Sequence, residues 1–261
     1  MSSCIFTVIK NEHNYIKDFI DYHLSLGIDH IFIFEDIGSI THKEIIDNYP
    51  KDKITLNCVD ILNLEIFNQS EYIRSGLLWI RDNFDYDWCF SIDCDEFITV
   101  TDEFPKLLND YIKYDAIMLQ WKNYGASGYI YKPKYDKPIW EIYTKECGYT
   151  YQDKKFCNYT KLCFNMKRLQ ERFIAGNHTA LCNFVRPDFT WKRNVPVYDR
   201  IYLRHYITKS FEEYVWKLKI RGMMCKTHRY YSDFFEMNED MIDRKNELIK
   251  LADNIIKMNR T

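Results

Sequence analysis

The feature that most constrains this chain is an alternation, across its first 120 residues, of short apolar runs with longer stretches of helical periodicity. A chain built this way buries its strands under helices and predicts βαβ units around a parallel sheet. Residues 4–9 form a compact apolar strand ending at the polar turn Lys10-Asn11-Glu12. Tyr15, Ile16, Phe19, Ile20, His23, Leu24 and Leu26 then recur at helical spacing, and Gly27 stands where a C-cap is needed. Further strands are predicted at 30–34, 54–58, 88–92 and 116–121, with a helix over 68–84 carrying Tyr72, Ile73, Leu77, Leu78 and Ile80. Residues 122–165 are rich in Tyr, Lys, Gly and Pro and weakly periodic, which predicts loops and short antiparallel strands over a cleft. Order returns with a strand at 201–206, a helix from 210 to about 221 and a polar helix over 237–258. With no linker or repeat, 261 residues suit one domain with a sizeable core.

Bulk properties exclude several classes. A net charge of −2 gives no electrostatic reason to expect nucleic-acid binding. Nine cysteines, an odd number with no paired C-x-x-C spacing, argue against both a disulfide framework and a zinc site. Cys4, Cys58 and Cys89 lie in apolar runs, where a thiol is expected to pack as a small hydrophobe. The start MSSCIFTVIKNE is not a secretory signal, and no apolar run reaches the ~18 residues of a transmembrane helix. The expectation is a cytoplasmic protein, peripheral to a membrane at most, or a piece of a larger one.

Four segments carry candidate chemistry. In Trp88-Cys89-Phe90-Ser91-Ile92-Asp93-Cys94-Asp95-Glu96-Phe97, an apolar strand runs into two carboxylates one residue apart. Ligands of open α/β sheets bind at the carboxyl ends of strands, and two hard oxygen donors there suit Mg²⁺ or Mn²⁺ against a departing diphosphate. A solvated loop is the plainer alternative. The second segment, Phe32-Ile33-Phe34-Glu35-Asp36-Ile37-Gly38-Ser39, offers Asp36 to a nucleobase or ribose, or else only turn and N-cap chemistry with Ser39. The third, Lys10-Asn11-Glu12, is a pocket edge or an ordinary polar turn. In the fourth, 204–222, His205 can complete a carboxylate metal site, with His178 as a rival. Lys209 and the helix start at Ser210 could hold phosphate oxygens, while Ser210 and Glu213 also have capping-box spacing.

In this order the segments resemble the GT-A glycosyltransferases of family 2, and more closely the family 92 (DUF23-like) branch. The matching pieces are V-I-K-N-E at 8–12, D-F-I-D-Y-H-L-S-L-G at 18–27, D-H-I-F-I-F-E-D-I-G-S at 29–39, W-C-F-S-I-D-C-D-E-F at 88–97, Y-G-A-S-G at 124–128 and H-Y-I-T-K-S-F-E-E-Y at 205–214. The resemblance covers about residues 5–222. It implies a Rossmann-like GT-A fold with a mixed, mainly parallel sheet flanked by helices: a nucleotide-binding half at 1–120, an acceptor and catalytic half at 121–222, and a helical tail at 223–261. It implies transfer of a hexose from a UDP-sugar to a hydroxyl of a glycan, glycolipid or glycoprotein, with inversion. Lys10, Asn11 and Glu12 would line the nucleotide pocket, Asp36 would read uracil, and Arg74, Lys161 and Lys209 would reach the nucleotide or its phosphates. Asp93, Asp95 and His205 would hold Mn²⁺ or Mg²⁺, and residues 124–128 would line the acceptor cleft. Glu141 in I-W-E-I-Y would be the general base, with Glu96 and Asp188 as rivals and Trp140 as a sugar platform or a core residue. The pattern departs from its relatives at Glu35-Asp36-Ile37-Gly38-Ser39, where a second polar residue commonly precedes Ser. A nucleotidyltransferase would also place acids at strand ends, but residues 8–12 lack the glycine-rich phosphate loop it normally needs. A non-catalytic carbohydrate-binding domain on the same fold predicts no metal-dependent nucleotide binding.

Overall fold

The computed structural model describes residues 1–38, 40–59, 69–134, 136–147, 160–173, 182–189, 197–221 and 230–258. In chain order the elements are β1 (Ser3–Ile9), α1 (Ile16–Leu26), β2 (His30–Asp36), α2 (Lys43–Ile46), β3 (Ile54–Val59), α3 (Gln69–Asn83), β4 (Trp88–Ser91), β5 (Glu96–Val100) and β6 (Ala116–Asn123). They continue with α4 (Ile139–Ile142), β7 (Thr160–Asn165), β8 (Phe184–Val185), β9 (Ile201–His205), α5 (Phe211–Trp216), α6 (Tyr231–Met237) and α7 (Lys245–Met258). The chain divides into two compact units, Met1–Trp121 with Asn158–Arg204, and Lys122–Cys157 with His205–Thr261.

The first unit carries the sheet. Among the described residues nine strands join in the order β3-β2-β1-β4-β7-β6-β9-β5, with β8 alongside β6. β1 pairs parallel with β2 and β4, and β2 pairs parallel with β3. This is a mixed, mainly parallel α/β sheet flanked by helices, as the alternation of sequence patterns predicts. β2 is buried along its whole length and β1 nearly so, which is why both read as continuous apolar runs rather than alternating ones. α1 turns Ile16, Phe19, Ile20 and His23 inward and stops at Gly27, whose left-handed φ of 105° lets its N–H reach the His23 and Leu24 carbonyls. α3 crosses β1 closely: a Cβ on Gly76 would lie 2.3 Å from Phe6 Cε2. Phe6, Phe34, Ile73, Leu77, Ile80, Cys89, Leu162 and Phe164 make the core between helix and sheet. Cys4 and Cys89 are buried there and Cys163 is buried on β7; burial pushes the Cys4 and Cys163 thiols well up, so they act as apolar filling. Cys58 differs from the sequence expectation: it is exposed, on a strand that among the described residues has a neighbour on one side only.

β7 is one of the short antiparallel strands expected within 122–165, whereas β5 lies where the sequence assigns no strand. β7 inserts antiparallel between β4 and β6, with Ser91 opposite Leu162 and Ile117 opposite Cys163. All six of its residues are buried, including Lys161, whose charge interrupts the apolar run in the sequence. β5 begins at Glu96, directly after the acidic pair.

The second unit has its own core of Phe211, Tyr214, Phe234, Phe235, Leu248, Ala252 and Ile255. Ser210 caps α5: its Oγ accepts from Glu213 N and Glu213 Oε2 accepts from Ser210 N, both at 3.3 Å, so the capping box is present. The helix continues as a π-helical turn over Lys217–Arg221. The helix predicted over 237–258 is instead α6, a 3₁₀ turn at Glu239–Arg244, and α7. Asn238 breaks it, because its side chain leaves the helical path to accept from Ala126 N and donate to Phe234 O at 2.8 Å.

Candidate active site

The ends of β1, β2 and β4 are neighbours, because Ile9 is opposite Glu35 and Phe6 is opposite Ser91 in parallel register. Parallel strands release their chains at the same edge, so Lys10–Glu12, Asp36 and the acids after β4 emerge together. The Ile92 N–H still bonds the Phe6 carbonyl at 3.2 Å, which carries β1's guidance one residue beyond β4.

The acidic corner is compact. Asp93 N–H donates to Glu96 Oε2 at 2.9 Å, closing a tight turn, and Glu96 N–H returns to the Asp93 carbonyl at 3.0 Å. Asp95 and Glu96 are buried, whereas the Asp93 side chain is 46% exposed. Lys161, fully buried on β7, points its ammonium at Asp93 Oδ2 (2.8 Å) and lies 3.7 Å from Glu96 Oε1, which is buried without a hydrogen bond among the described residues. Burial pushes the Glu96 carboxyl well above the usual carboxylate range; the Lys161 charge opposes this and the charges of Asp93 and Asp95 reinforce it. For Lys161 burial works downward, but Asp93, Glu96 and Asp95 together lift it above its ordinary value, so it stays charged. The sequence offers Lys161 as a phosphate contact; in the structure its partner is Asp93.

These donors suit a hard divalent cation at Asp93 and Asp95, both oxygen ligands, with one side chain reaching solvent. Among the described residues no three His, Cys, Asp or Glu side chains gather into a complete metal cage.

The nucleotide candidates lie beside this corner. Lys10 Nζ is 3.0 Å from Asp36 Oδ2, and Asp36 is buried. Asn11, at a left-handed φ of 53°, accepts the Ile40 N–H at 2.9 Å. Glu12 is half-buried and donates its N–H to His42 Nε2 at 2.9 Å. Glu35 and His42, both buried, were not singled out by sequence reasoning, and Glu35 Oε1 accepts from His42 N at 2.7 Å. Arg74 is half-buried on α3 and pairs with Glu71 at 3.0 Å.

His205, Lys209 and Glu141 belong to the second unit. His205 is buried, its Nδ1 3.1 Å from Asn123 Oδ1. Lys209, buried at a φ of 56°, precedes Ser210, whose N–H is already engaged by Tyr143 Oη at 3.2 Å and by Glu213. Glu141 is exposed on the single turn of α4, with Trp140 half-buried beside it. Residues 124–128 pack beside Asn238, 2.4 Å from where a Gly125 Cβ would stand. Asp188 is half-buried in the first unit. Ser39 and His178 lie outside the described residues.

The fold is thus that of a mixed, Rossmann-like α/β protein with acids at the carboxyl edge. Similar solved structures include a protein from Desulfovibrio desulfuricans G20 assigned as a nucleotide-diphospho-sugar transferase, at 13% identity over 99% of this chain and 98% of that one, with a TM-score of 0.40. Another is 4-diphosphocytidyl-2C-methyl-D-erythritol synthase from Anaerococcus prevotii DSM 20548, at 12% identity over 76% and 92% of the two chains, TM-score 0.37. A third is glucosyl-3-phosphoglycerate synthase from Mycobacterium tuberculosis in complex with Mn²⁺, UDP and glucosyl-3-phosphoglycerate, at 15% identity over 46% and 44%, TM-score 0.31. No family model matches the sequence, and no curated protein matches it. Among the described residues no helix is long and apolar enough to cross a membrane.

Proposed function

We propose that this protein is a glycosyltransferase of the GT-A type that uses a nucleotide-sugar, with a UDP-hexose as donor and a glycan hydroxyl as acceptor. The observation that carries the reading is the acidic corner Asp93-Cys94-Asp95-Glu96, at the carboxyl edge of parallel strands and beside Lys10–Glu12 and Asp36. Asp93 and Asp95 would hold Mn²⁺ or Mg²⁺, which when bound supplies positive charge against the diphosphate as it leaves. Lys161 neutralises part of the carboxylate charge and orients Asp93. The Glu96 side chain, bonded to Asp93 N–H, keeps the turn closed so that both aspartates stay at the strand end. Lys10 and Asp36 form one charged pair, which we assign to the uracil or ribose of the donor. In an inverting transfer the acceptor oxygen attacks the anomeric carbon, the bond to the diphosphate oxygen breaks, and a carboxylate takes the hydroxyl proton; Glu141 is the residue we assign to that step.

Titrating UDP with and without Mn²⁺, followed by a panel of nucleotide-sugars read for donor hydrolysis, tests the reading. The expected result is UDP binding that tightens with Mn²⁺ and turnover of a UDP-hexose. Binding of a nucleoside triphosphate with release of pyrophosphate would make the protein a nucleotidyltransferase instead. No metal-dependent nucleotide binding at all would leave only a non-catalytic domain.

A further inference from the structure

The turn after β1 and the segment after β2 meet residue against residue. Lys10 pairs with Asp36, Asn11 Oδ1 receives the Ile40 N–H, and Glu12 N–H reaches His42 Nε2. His13 Nε2 lies 3.1 Å from the Thr41 carbonyl, and its ring stacks on His42 with centroids 3.8 Å apart at 21°. Behind this seam stands Glu35. Its Oε1 accepts from His42 N and from His42 Nδ1, and its Oε2 accepts from Thr41 Oγ at 3.1 Å.

The hydrogen-bond roles are forced. A backbone N–H can only donate, so His42 Nε2 must be the unprotonated nitrogen, and the ring proton sits on Nδ1 facing Glu35. The carboxylate thereby selects the tautomer that offers a lone pair to Glu12. Burial, opposed by Glu35, holds the His42 imidazole below its ordinary pKa, in keeping with a neutral ring.

We propose that Glu35 and His42 are positioning residues: together they fix the Glu12 backbone amide, and so preset Lys10 and Asn11 for the donor nucleotide. This rests on the reading that Lys10–Glu12 line the nucleotide pocket. A turn with Asn11 in the left-handed region is strained and needs its neighbours to hold it. The His42 bond anchors Glu12 N–H on a side chain that Glu35 supports from behind.

The test compares His42→Asn, which keeps a donor for Glu35 but falls short of Glu12, with His42→Gln, whose amide oxygen reaches the Nε2 position. Three quantities are read at matched pH: the exchange rate of the Glu12 amide without ligand, the dissociation constant for UDP, and the melting temperature. His42→Asn should speed Glu12 exchange and weaken UDP binding by about five- to tenfold each, as loss of one neutral hydrogen bond does, and His42→Gln should restore most of both. Unchanged Glu12 exchange in His42→Asn would overturn the clasp. Faster exchange with unchanged UDP affinity, or a loss that tracks melting temperature in both variants, would reduce His42 to a structural residue and overturn the positioning role. If the wild-type protein binds no nucleotide, the functional reading fails and the positioning role with it, while the exchange data still decide whether the clasp exists. Should His42→Asn not fold, Thr41→Ala, which removes the Thr41 Oγ1 bond to Glu35 together with the bond the same oxygen accepts from Lys43 N–H at 3.2 Å, is read in the same way.

Discussion

His23 should make the first unit sensitive to acid well before its carboxylates titrate. The imidazole is completely buried on α1, between Phe19 (4.4 Å, edge-on) and Phe97 (5.6 Å, stacked). Its Nδ1 donates to the Phe19 carbonyl at 2.8 Å, and its Nε2 accepts the Ile98 N–H at 3.2 Å. Both nitrogens are committed to the neutral ring, and burial, with the Arg204 charge adding and the Phe19 bond opposing, drives its pKa from 6.5 to about 3. The folded-state value is depressed, so His23 costs nothing above pH 6.5. Between pH 6.5 and about 3 the unfolded chain takes up a proton that the folded chain refuses, and stability falls by up to about 1.4 kcal/mol per pH unit. At pH 5 the loss from this one residue is about 2 kcal/mol, a sizeable part of the about 5–15 kcal/mol that holds a domain folded. The assay is urea unfolding followed by tryptophan fluorescence at pH 7.5, 6 and 5, for wild type and His23→Gln, whose amide oxygen can accept from Ile98. Burial also lowers the pKa of His30 and His42, but these groups are common to both proteins and cancel in the difference. His23→Gln should be somewhat less stable at pH 7.5 and should close on or overtake wild type by pH 5. Parallel pH dependences for the two proteins would refute the argument, because His23 would then not be the buried group refusing the proton.

Lys161→Met should cost about 3 kcal/mol in urea unfolding, the low end for breaking a buried charge pair because Asp93 is 46% exposed, and adding Glu96→Gln should recover part of it. Asp95→Ala should abolish Mn²⁺-dependent turnover while circular dichroism stays native; full activity would remove Asp95 from the site. Gly76→Ala should lose about 1–2 kcal/mol, since a methyl 2.3 Å from the Phe6 ring overpacks the core by more than the gain in helix propensity. Glu141→Gln should keep UDP affinity and lose transfer, and unchanged transfer would eliminate Glu141 as the base.

The parallel core was legible because burial on both faces leaves a periodic record. Phe19, Ile20 and His23 against Gly27 mark α1 and its end, and the apolar runs mark β1, β2 and β4. The position of β7 in the middle of the sheet, and β5 itself, were not legible. A charged lysine inside β7, and three acids in four residues before Phe97, look polar locally, and only pairing across the sheet buries them. The same limit applies to the site. Asp93 and Asp95 announce themselves by following a strand, but Glu35 reads as a neighbour of Asp36 and His42 as a loop residue. Their meaning depends on a chain reversal that no spacing rule encodes. Likewise the sequence shows that Lys161 is a cation, while its partner is in a turn 68 positions away.

That placement of β7 bears on how the protein is made. β4 emerges during synthesis with the edge that β7 occupies still open and before Lys161 exists to pair with Asp93, and it stays so until residues 160–165 arrive. Closing so long an interval is slow relative to local helix formation, and an open, apolar strand edge invites pairing with other chains meanwhile. The step that balances the acidic corner is therefore also the step that seals the middle of the sheet, so a chain with β4 unsealed should be both inactive and prone to aggregate.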